Sequence, residues 1–118
     1  MNRRKRGSAW EQKAAEYLSQ NGCDIIAMNY RCRLGEIDII MRDNDTICFV
    51  EVKYRTGSQY GSSVEAVNYN KQCRIRRAAS YYLTAEIHTQ EVLCRFDVLG
   101  FDMDNAGNIT VTHIKDAF

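Results

Sequence analysis

Proline is absent from this chain of 118 residues, and several features of membrane, exported or multidomain proteins are missing as well. No apolar run approaches the roughly 18 residues of a membrane-spanning helix, so we expect no membrane partner. The basic start, MNRRKRGSAW, is not followed by an apolar stretch, which argues against a secretory signal and predicts a cytoplasmic protein. Because repeats and low-complexity linkers are also missing, the length indicates a single globular domain.

Closely spaced metal-binding cysteines are lacking too. The five cysteines are scattered without a CxxC pair, and the only histidines are His88 and His113. A zinc site is therefore not expected, and reduced, partly buried thiols are the simpler interpretation.

Charge of one sign does not dominate the chain, because the formal net charge is only +1. Four of the 16 basic residues lie in residues 3–6, which leaves 12 basic against 15 acidic residues elsewhere. We therefore predict a basic N-terminal arm over residues 1–6, which could contact phosphate or remain a disordered, solvated terminus. Residues 7–118 would form one folded domain.

Hydrophobic patterning predicts an α/β fold with the order α-β-β-β-α-β-β and a mixed central sheet flanked by helices. Ser8 with Glu11, and Ser62 with Glu65, have capping-box spacing at the starts of the two helices. The predicted helices cover residues 7–22 and 62–83, and the predicted strands cover residues 23–31, 35–42, 46–55, 91–104 and 108–114.

The stretch GEIDIIMRDNDTICFVEVKYR predicts a hairpin that places charged residues within two apolar strands. With Asn44 and Asp45 at the centre of the turn, the apolar side chains pair with each other, whereas a slip of one residue would mix apolar and charged positions. The predicted cross-strand pairs are Asp38 with Glu51, Glu36 with Lys53, Ile37 with Val52, and Ile39 with Val50.

Two opposed carboxylates repel, so Asp38 or Glu51 must take up a proton, or a cation must lie between them. Lys53, two residues after Glu51 on the same face, could be that cation. A divalent metal could be as well, since Mg²⁺ is typically held by one or two carboxylates with water and substrate phosphate. Such a metal would activate a water for phosphodiester hydrolysis, and Lys53 would offset charge on the phosphate oxygens.

Further candidates surround this pair, each with a structural alternative. Glu11 shares a helix face with Ala15 and Leu18 and could reach the sheet, or could serve only in the capping box. Lys71 faces inward on the second helix, where an apolar residue is expected. The candidate phosphate contacts are Lys71, Arg74, Arg77, Arg55 and Arg33, although arginines on a helix are often only a solvated face, and Glu-x-Lys on a strand is often only a surface ion pair. Arg95 and Asp97 look like a structural ion pair, and a structural role is also expected for His113.

In combination, GEIDII, FVEVKYR, YGSSVEAVNYNKQCRI, RFDVL and HIKDAF resemble the YraN-like family of bacterial proteins over residues 7–118. The resemblance implies a restriction-endonuclease-like fold, the PD-(D/E)xK superfamily, similar to archaeal Holliday-junction resolvases. Asp38 matches the motif aspartate, and Glu51-Val52-Lys53 matches Glu-x-Lys. Glu11 matches an acidic residue on the first helix, while Ile37 stands where the superfamily usually has proline.

The expected function is a Mg²⁺- or Mn²⁺-dependent endonuclease acting on DNA, including branched or structured DNA. Asp38 and Glu51 would hold the metal, with Lys53 and Glu11 as further catalytic residues. The resolvase resemblance also suggests a homodimer. The alternatives are a nucleic-acid-binding module that keeps the fold without cutting, and a small subunit of a larger assembly.

Overall fold

The computed structural model describes residues 2–57, 67–89 and 91–118, with side chains from residue 9 onward. It confirms the α/β class, the predicted order of elements and the mixed sheet flanked by helices. The elements are α1 (Asn2–Gln20), β1 (Asp24–Cys32), β2 (Gly35–Asp43), β3 (Thr46–Thr56), α2 (Tyr69–Tyr82), a π-helical turn (Leu83–Ile87), β4 (Cys94–Met103) and β5 (Ile109–Ile114). None of the described helices is long and apolar enough to cross a membrane.

The five strands lie in the sheet in the same order as in the sequence. β3 and β4 are parallel, and every other neighbouring pair is antiparallel. A parallel pair needs a crossover connection, and α2 lies within it. β3 is the third of the five strands, so it occupies the middle of the sheet, where both of its faces are covered.

Each face of the sheet packs against one helix. Phe49 of β3 lies in the core on the α2 side, together with Ile75 and Ala78 of that helix. Val50, the next residue, lies in the core on the α1 side with Ala14 and Leu18. Because successive side chains of a strand point to opposite faces, β3 contributes to both cores. All five cysteines are free, as predicted.

The helix starts differ from the capping-box predictions. α1 begins at Asn2, so Ser8 lies within the helix and not at its start. α2 begins at Tyr69, and its N-cap is Asn68, whose side-chain oxygen accepts a hydrogen bond from the Lys71 backbone N–H at 2.9 Å. Asparagine satisfies a free N–H at a helix start as well as serine does. The predicted Ser62–Glu65 box lies outside the described residues.

The predicted hairpin register is confirmed from the Asp43–Thr46 pair to the Ile39–Val50 pair, where the ladder ends. The three predicted pairs beyond it, which involve residues 36–38 and 51–53, are therefore not backbone pairs. The physical reason is that a side chain replaces the neighbouring backbone as hydrogen-bond acceptor: the Val52 N–H donates to Oδ2 of Asp38 at 2.8 Å.

β2 is irregular at Asp38 on its other edge as well. The ladder with β1 passes from Met28–Ile39 to Tyr30–Ile37 without pairing Asn29, which has a left-handed φ of 54°. Ile37 belongs to the core on the α2 side, whereas Ile39 belongs to the core on the α1 side. Residues two apart on a regular strand share a face, so the two faces of β2 must exchange sides of the sheet at Asp38.

A second polar cluster anchors the C-terminal segment. Asp97 accepts hydrogen bonds from Arg95 Nε at 3.0 Å and from the Asp116 N–H at 3.0 Å, and its Oδ2 lies 2.9 Å from His113 Nε2. Arg95 also donates to Asp43 at 2.8 Å. The Arg95–Asp97 ion pair is thus confirmed, and Asp97 is the partner of His113 that the sequence did not indicate.

Candidate active site

Three carboxylates from three elements converge at Asp38, where the faces of β2 exchange sides of the sheet. Glu11 comes from α1, Asp38 from β2 and Glu51 from β3. Glu11 and Glu51 are only 9% and 6% exposed, and Asp38 is half-buried between them. Asp38 lies within hydrogen-bonding reach of both glutamates. The sequence analysis placed these residues together, and the structure brings them into contact.

Crowding and burial shift the acidity of this carboxylate cluster. Burial, together with hydrogen bonding to and repulsion by Glu51, raises the pKa of Asp38 to about 9, although the Val52 N–H acts in the opposite direction. Burial also raises the pKa of Glu11, with Asn29 and Asp38 opposing the change. The folded cluster therefore keeps a proton at neutral pH, which is one of the two ways to relieve the repulsion.

The other way to relieve the repulsion is a nearby cation, which a lysine provides. Nζ of Lys71, on the inward face of α2, lies 2.8 Å from Oε2 of Glu51. At this distance the ammonium and the carboxylate form an ion pair. Burial lowers the pKa of Lys71, but the Glu51 carboxylate outweighs this effect and raises it. The sequence analysis named Lys53 as the nearby cation, and the structure adds Lys71 directly against Glu51.

Carboxylate oxygens are the donor type that a hard divalent cation takes. Among the described residues, the buried oxygen Glu11 Oε1 has no hydrogen-bond partner, which is costly for a carboxylate, and Glu51 Oε2 has the Lys71 ammonium 2.8 Å away. The described part contains no group of three or more His, Cys, Asp or Glu side chains arranged as a metal site. Mg²⁺ needs only one or two carboxylates when water and phosphate complete its shell. The pair Asp38 and Glu51 meets that smaller requirement.

A cleft of about 350 Å³ lies beside the carboxylates. It shares Glu36 and Ile75 with a narrow cavity, too small to hold a water molecule, that is lined by Asp38 and Glu51. The cleft's lining residues are Arg31, Cys32, Gly35, Glu36, Lys71, Arg74 and Ile75. A basic opening therefore leads toward an acidic interior.

Gly35 lets α2 approach the start of β2 at this cleft. A Cβ atom at position 35 would lie 2.9 Å from the backbone oxygen of Arg74, closer than such atoms approach in proteins. The glycine of the GEID motif thus has a packing role, since it sets the position of the helix that carries Lys71.

Comparison with known protein families identifies relatives of this chain. Residues 10–101 match the family described as "Uncharacterised protein family UPF0102". The chain belongs to the UPF0102 family. The match covers most of the chain and confirms the family that the sequence motifs indicated.

UPF0102 relatives are similar over nearly their full lengths. A UPF0102 protein of Lachnoclostridium phytofermentans is 50% identical over 99 residues, which is 84% of each chain. A UPF0102 protein of Caldicellulosiruptor bescii is 41% identical over 119 residues, which is 100% of each chain. The domain described here is thus the common unit of these relatives.

The predicted phosphate contacts of this UPF0102 chain lie in several places. Lys71 and Arg74 line the cleft. Arg77 lies on the α2 stripe of residues 69, 73 and 77, which is separate from the buried stripe that contains Ile75. Arg33 is exposed in the turn after β1, and Arg55 is half-buried on β3, four residues after Glu51.

Some residues of the site were missed by the sequence analysis. Arg31 of β1 lines the cleft, and its Nε lies 3.2 Å from Oε2 of Glu36. Glu36 therefore pairs with Arg31 across the β1–β2 ladder, not with Lys53 as predicted. Asn29 was also missed, although asparagine is among the residues that best tolerate a positive φ.

Proposed function

We propose that this UPF0102 protein is a Mg²⁺- or Mn²⁺-dependent nuclease that hydrolyses phosphodiester bonds of DNA, including branched or structured DNA. The observation that carries the proposal is the contact of half-buried Asp38 with buried Glu51 at the end of a basic cleft. A fold gains no stability from two carboxylates held together away from bulk water, so their presence argues for a functional cation.

Asp38 and Glu51 would hold the metal, through oxygens that face each other across the end of the hairpin ladder. When bound, the metal would polarise the phosphate and lower the pKa of a coordinated water. Lys53 lies two residues beyond Glu51 on β3, so it would offset charge that develops on the phosphate oxygens. Glu11 would orient the attacking water from the α1 side.

Basic side chains would hold the strand without reading its sequence. Lys71 and Arg74, which line the cleft, would act in this way, and Arg33, Arg55, Arg77 and the basic arm are further candidates. Contacts of this kind go to phosphate oxygens and fix the register of a nucleic acid. A homodimer would present two such sites to two strands of cytoplasmic DNA, as the resemblance to resolvases implies.

The test is cleavage of end-labelled single-stranded, duplex, nicked and four-way-junction DNA, with a single-stranded RNA in parallel, in Mg²⁺ or Mn²⁺. We expect cleavage that EDTA stops and that Asp38→Asn and Glu51→Gln each reduce at least a hundredfold. Asp45→Asn, at the exposed hairpin turn, is the matched control and should cut normally. Equal cleavage by all three variants would assign the activity to a contaminant and overturn the proposal.

A nucleic-acid-binding module that does not cut is the second candidate. The observation that favours it is that the site is already compensated, by the Lys71–Glu51 ion pair and by the proton on Asp38. This candidate predicts strand binding that is the same with EDTA, Mg²⁺ or Mn²⁺, and no cleavage of any substrate. Metal-dependent cleavage that is lost in Asp38→Asn would exclude it.

A further inference from the structure

Three cations from two different elements line the cleft beside the carboxylates. Arg31 projects from β1, and Lys71 and Arg74 project from successive turns of α2. Glu36 is the one acidic residue among those that line the cleft in the described part of the chain. The surplus of positive charge in a concave surface favours an anion.

Two of these cations are held by carboxylates of very different exposure. The Lys71–Glu51 pair is partly buried, since Glu51 is only 6% exposed. In the Arg31–Glu36 pair, the side chains are 52% and 63% exposed. An ion pair in water is weak, so a ligand phosphate could replace Glu36 at little cost and gain a bidentate contact with Arg31.

The cleft has the character of a backbone subsite. Its volume of about 350 Å³ lies at the lower end of the range for small-ligand pockets and suits a single nucleotide unit. None of the described residues that line it is aromatic, so it offers no stacking platform for a base. It also shares Glu36 and Ile75 with the cavity of Asp38 and Glu51.

We infer that this cleft binds the phosphodiester group next to the one that is attacked, through Arg31 and Arg74, with Glu36 acting as a built-in competitor that occupies Arg31 in the free protein. The inference rests on the proposed function, because it assigns a substrate contact to the same site. It adds Arg31 as a binding residue and gives Glu36 an inhibitory role.

The experiment measures binding of a fluorescein-labelled single-stranded DNA of about 12 nucleotides by anisotropy in EDTA, over a range of salt concentrations. Arg31→Gln and Arg74→Gln should each weaken binding about five- to tenfold at low salt. Each should also reduce the slope of log affinity against log salt by about 0.7, the amount for one lost phosphate contact on a single strand. Glu36→Gln should instead strengthen binding about two- to fivefold.

Matched controls separate this subsite from a general charge effect. Arg42→Gln changes an exposed arginine six residues along the same strand from Glu36, and Glu16→Gln changes an exposed glutamate on α1. Both controls should leave affinity and salt slope close to those of the native chain. Melting temperatures of all variants show whether each one is folded, and the exposure of Arg31 and Glu36 predicts that they are.

An affinity that falls in Arg31→Gln and rises in Glu36→Gln would support the inference, since loss of a purely structural ion pair would weaken binding in both variants. Equal effects of Arg31→Gln and Arg42→Gln, or weaker binding in Glu36→Gln, would overturn it. Inorganic phosphate that binds as tightly as the strand would also overturn it, in favour of a free-anion site. Because EDTA removes any cleavage, the subsite can fail while Asp38-dependent cleavage stands, and the reverse outcome is equally visible.

Discussion

Asp38 and Asp97 are two aspartates enclosed within the same sheet, but their surroundings are opposite. Asp97 of β4 is completely buried and has Arg95, His113 and the Asp116 N–H as partners. Burial alone would raise the pKa of Asp97, but these partners outweigh it and lower the pKa. Asp38 of β2 has one N–H donor and two carboxylate neighbours, and its pKa is raised to about 9.

The contrast separates a carboxylate that the fold satisfies from one that the fold leaves among other carboxylates. At Asp97 the fold supplies enough donors to stabilise the charge, so nothing further is needed there. At Asp38 the fold brings Glu11 and Glu51 close, leaves Glu11 Oε1 without a hydrogen bond from any described residue, and sets the Lys71 ammonium against Glu51 Oε2. An arrangement that is unfavourable by itself is expected where a ligand completes the site.

The largest effect should follow from disturbing the satisfied aspartate. Asp97→Asn would leave the guanidinium of Arg95 with one carboxylate partner, Asp43, and remove the charge opposite His113. Removing one partner of a buried ion pair should lower the free energy of unfolding by about 3 kcal/mol, measured by urea denaturation at neutral pH. Asp104→Asn, at an exposed aspartate that also accepts backbone hydrogen bonds, should cost much less. Equal losses in the two variants would contradict the account of the Asp97 cluster.

At Asp38, by contrast, a substitution is expected to raise the free energy of unfolding. Its carboxyl keeps a proton in the folded state that the unfolded chain, with an ordinary pKa of 3.8, loses. Folding therefore retains a proton between about pH 4 and pH 9, and stability must fall as pH rises through that window. Asp38→Asn removes this cost without a change of shape.

We therefore expect Asp38→Asn to raise the free energy of unfolding at pH 8 by at least about 1.4 kcal/mol, the equivalent of one pKa unit. The gain should be small at pH 4.5, and denaturant unfolding without metal at both values measures it. Asp45→Asn, in the exposed turn, should show no such pH dependence. A destabilised Asp38→Asn variant at pH 8 would mean that Asp38 is as well satisfied as Asp97.

The smallest effect should come from the glycine that sets the distance between α2 and β2. Gly35→Ala would force a Cβ against the Arg74 carbonyl and should cost about 1–2 kcal/mol. Gly107→Ala is the control, because its Cβ would meet nothing within 4 Å and only the left-handed φ of 87° would be strained. Both variants should lose stability, but only Gly35→Ala should weaken strand binding, since it displaces Lys71 and Arg74. Unchanged binding in Gly35→Ala would show that the helix position does not set the cleft.

Much of the fold follows from the sequence because apolar runs bounded by turn residues mark the strands. The hairpin register was predictable from Ile39 and Val50, since a slip would have buried charges. The start of the second helix was less predictable, because Ser62 and Asn68 are both residue types that cap helices and local spacing does not decide which one is used. The π-helical turn at Leu83–Ile87 gave no recognisable signal.

The site was predictable in its residues but not in its contacts. Asp38, Glu51 and Glu11 follow from motif and register, but the interruption of the ladder by Asp38 depends on a single long-range hydrogen bond to Val52. The contacts of Lys71 with Glu51 and of Arg31 with Glu36 depend on how α2 and β1 dock. Sequence spacing holds no information on such distances between elements.

Titration of the native chain with Mn²⁺ by calorimetry, at pH 7.5 in two buffers of different ionisation enthalpy, tests the central claim most directly. If the carboxylates of Asp38 and Glu51 await a metal, Mn²⁺ should bind one site and release about one proton, because the proton on Asp38 must leave. Asp38→Asn and Glu51→Gln should each abolish binding, and Asp45→Asn should not. Absence of binding at millimolar Mn²⁺ by a folded native chain, or equal binding by all variants, would contradict the account.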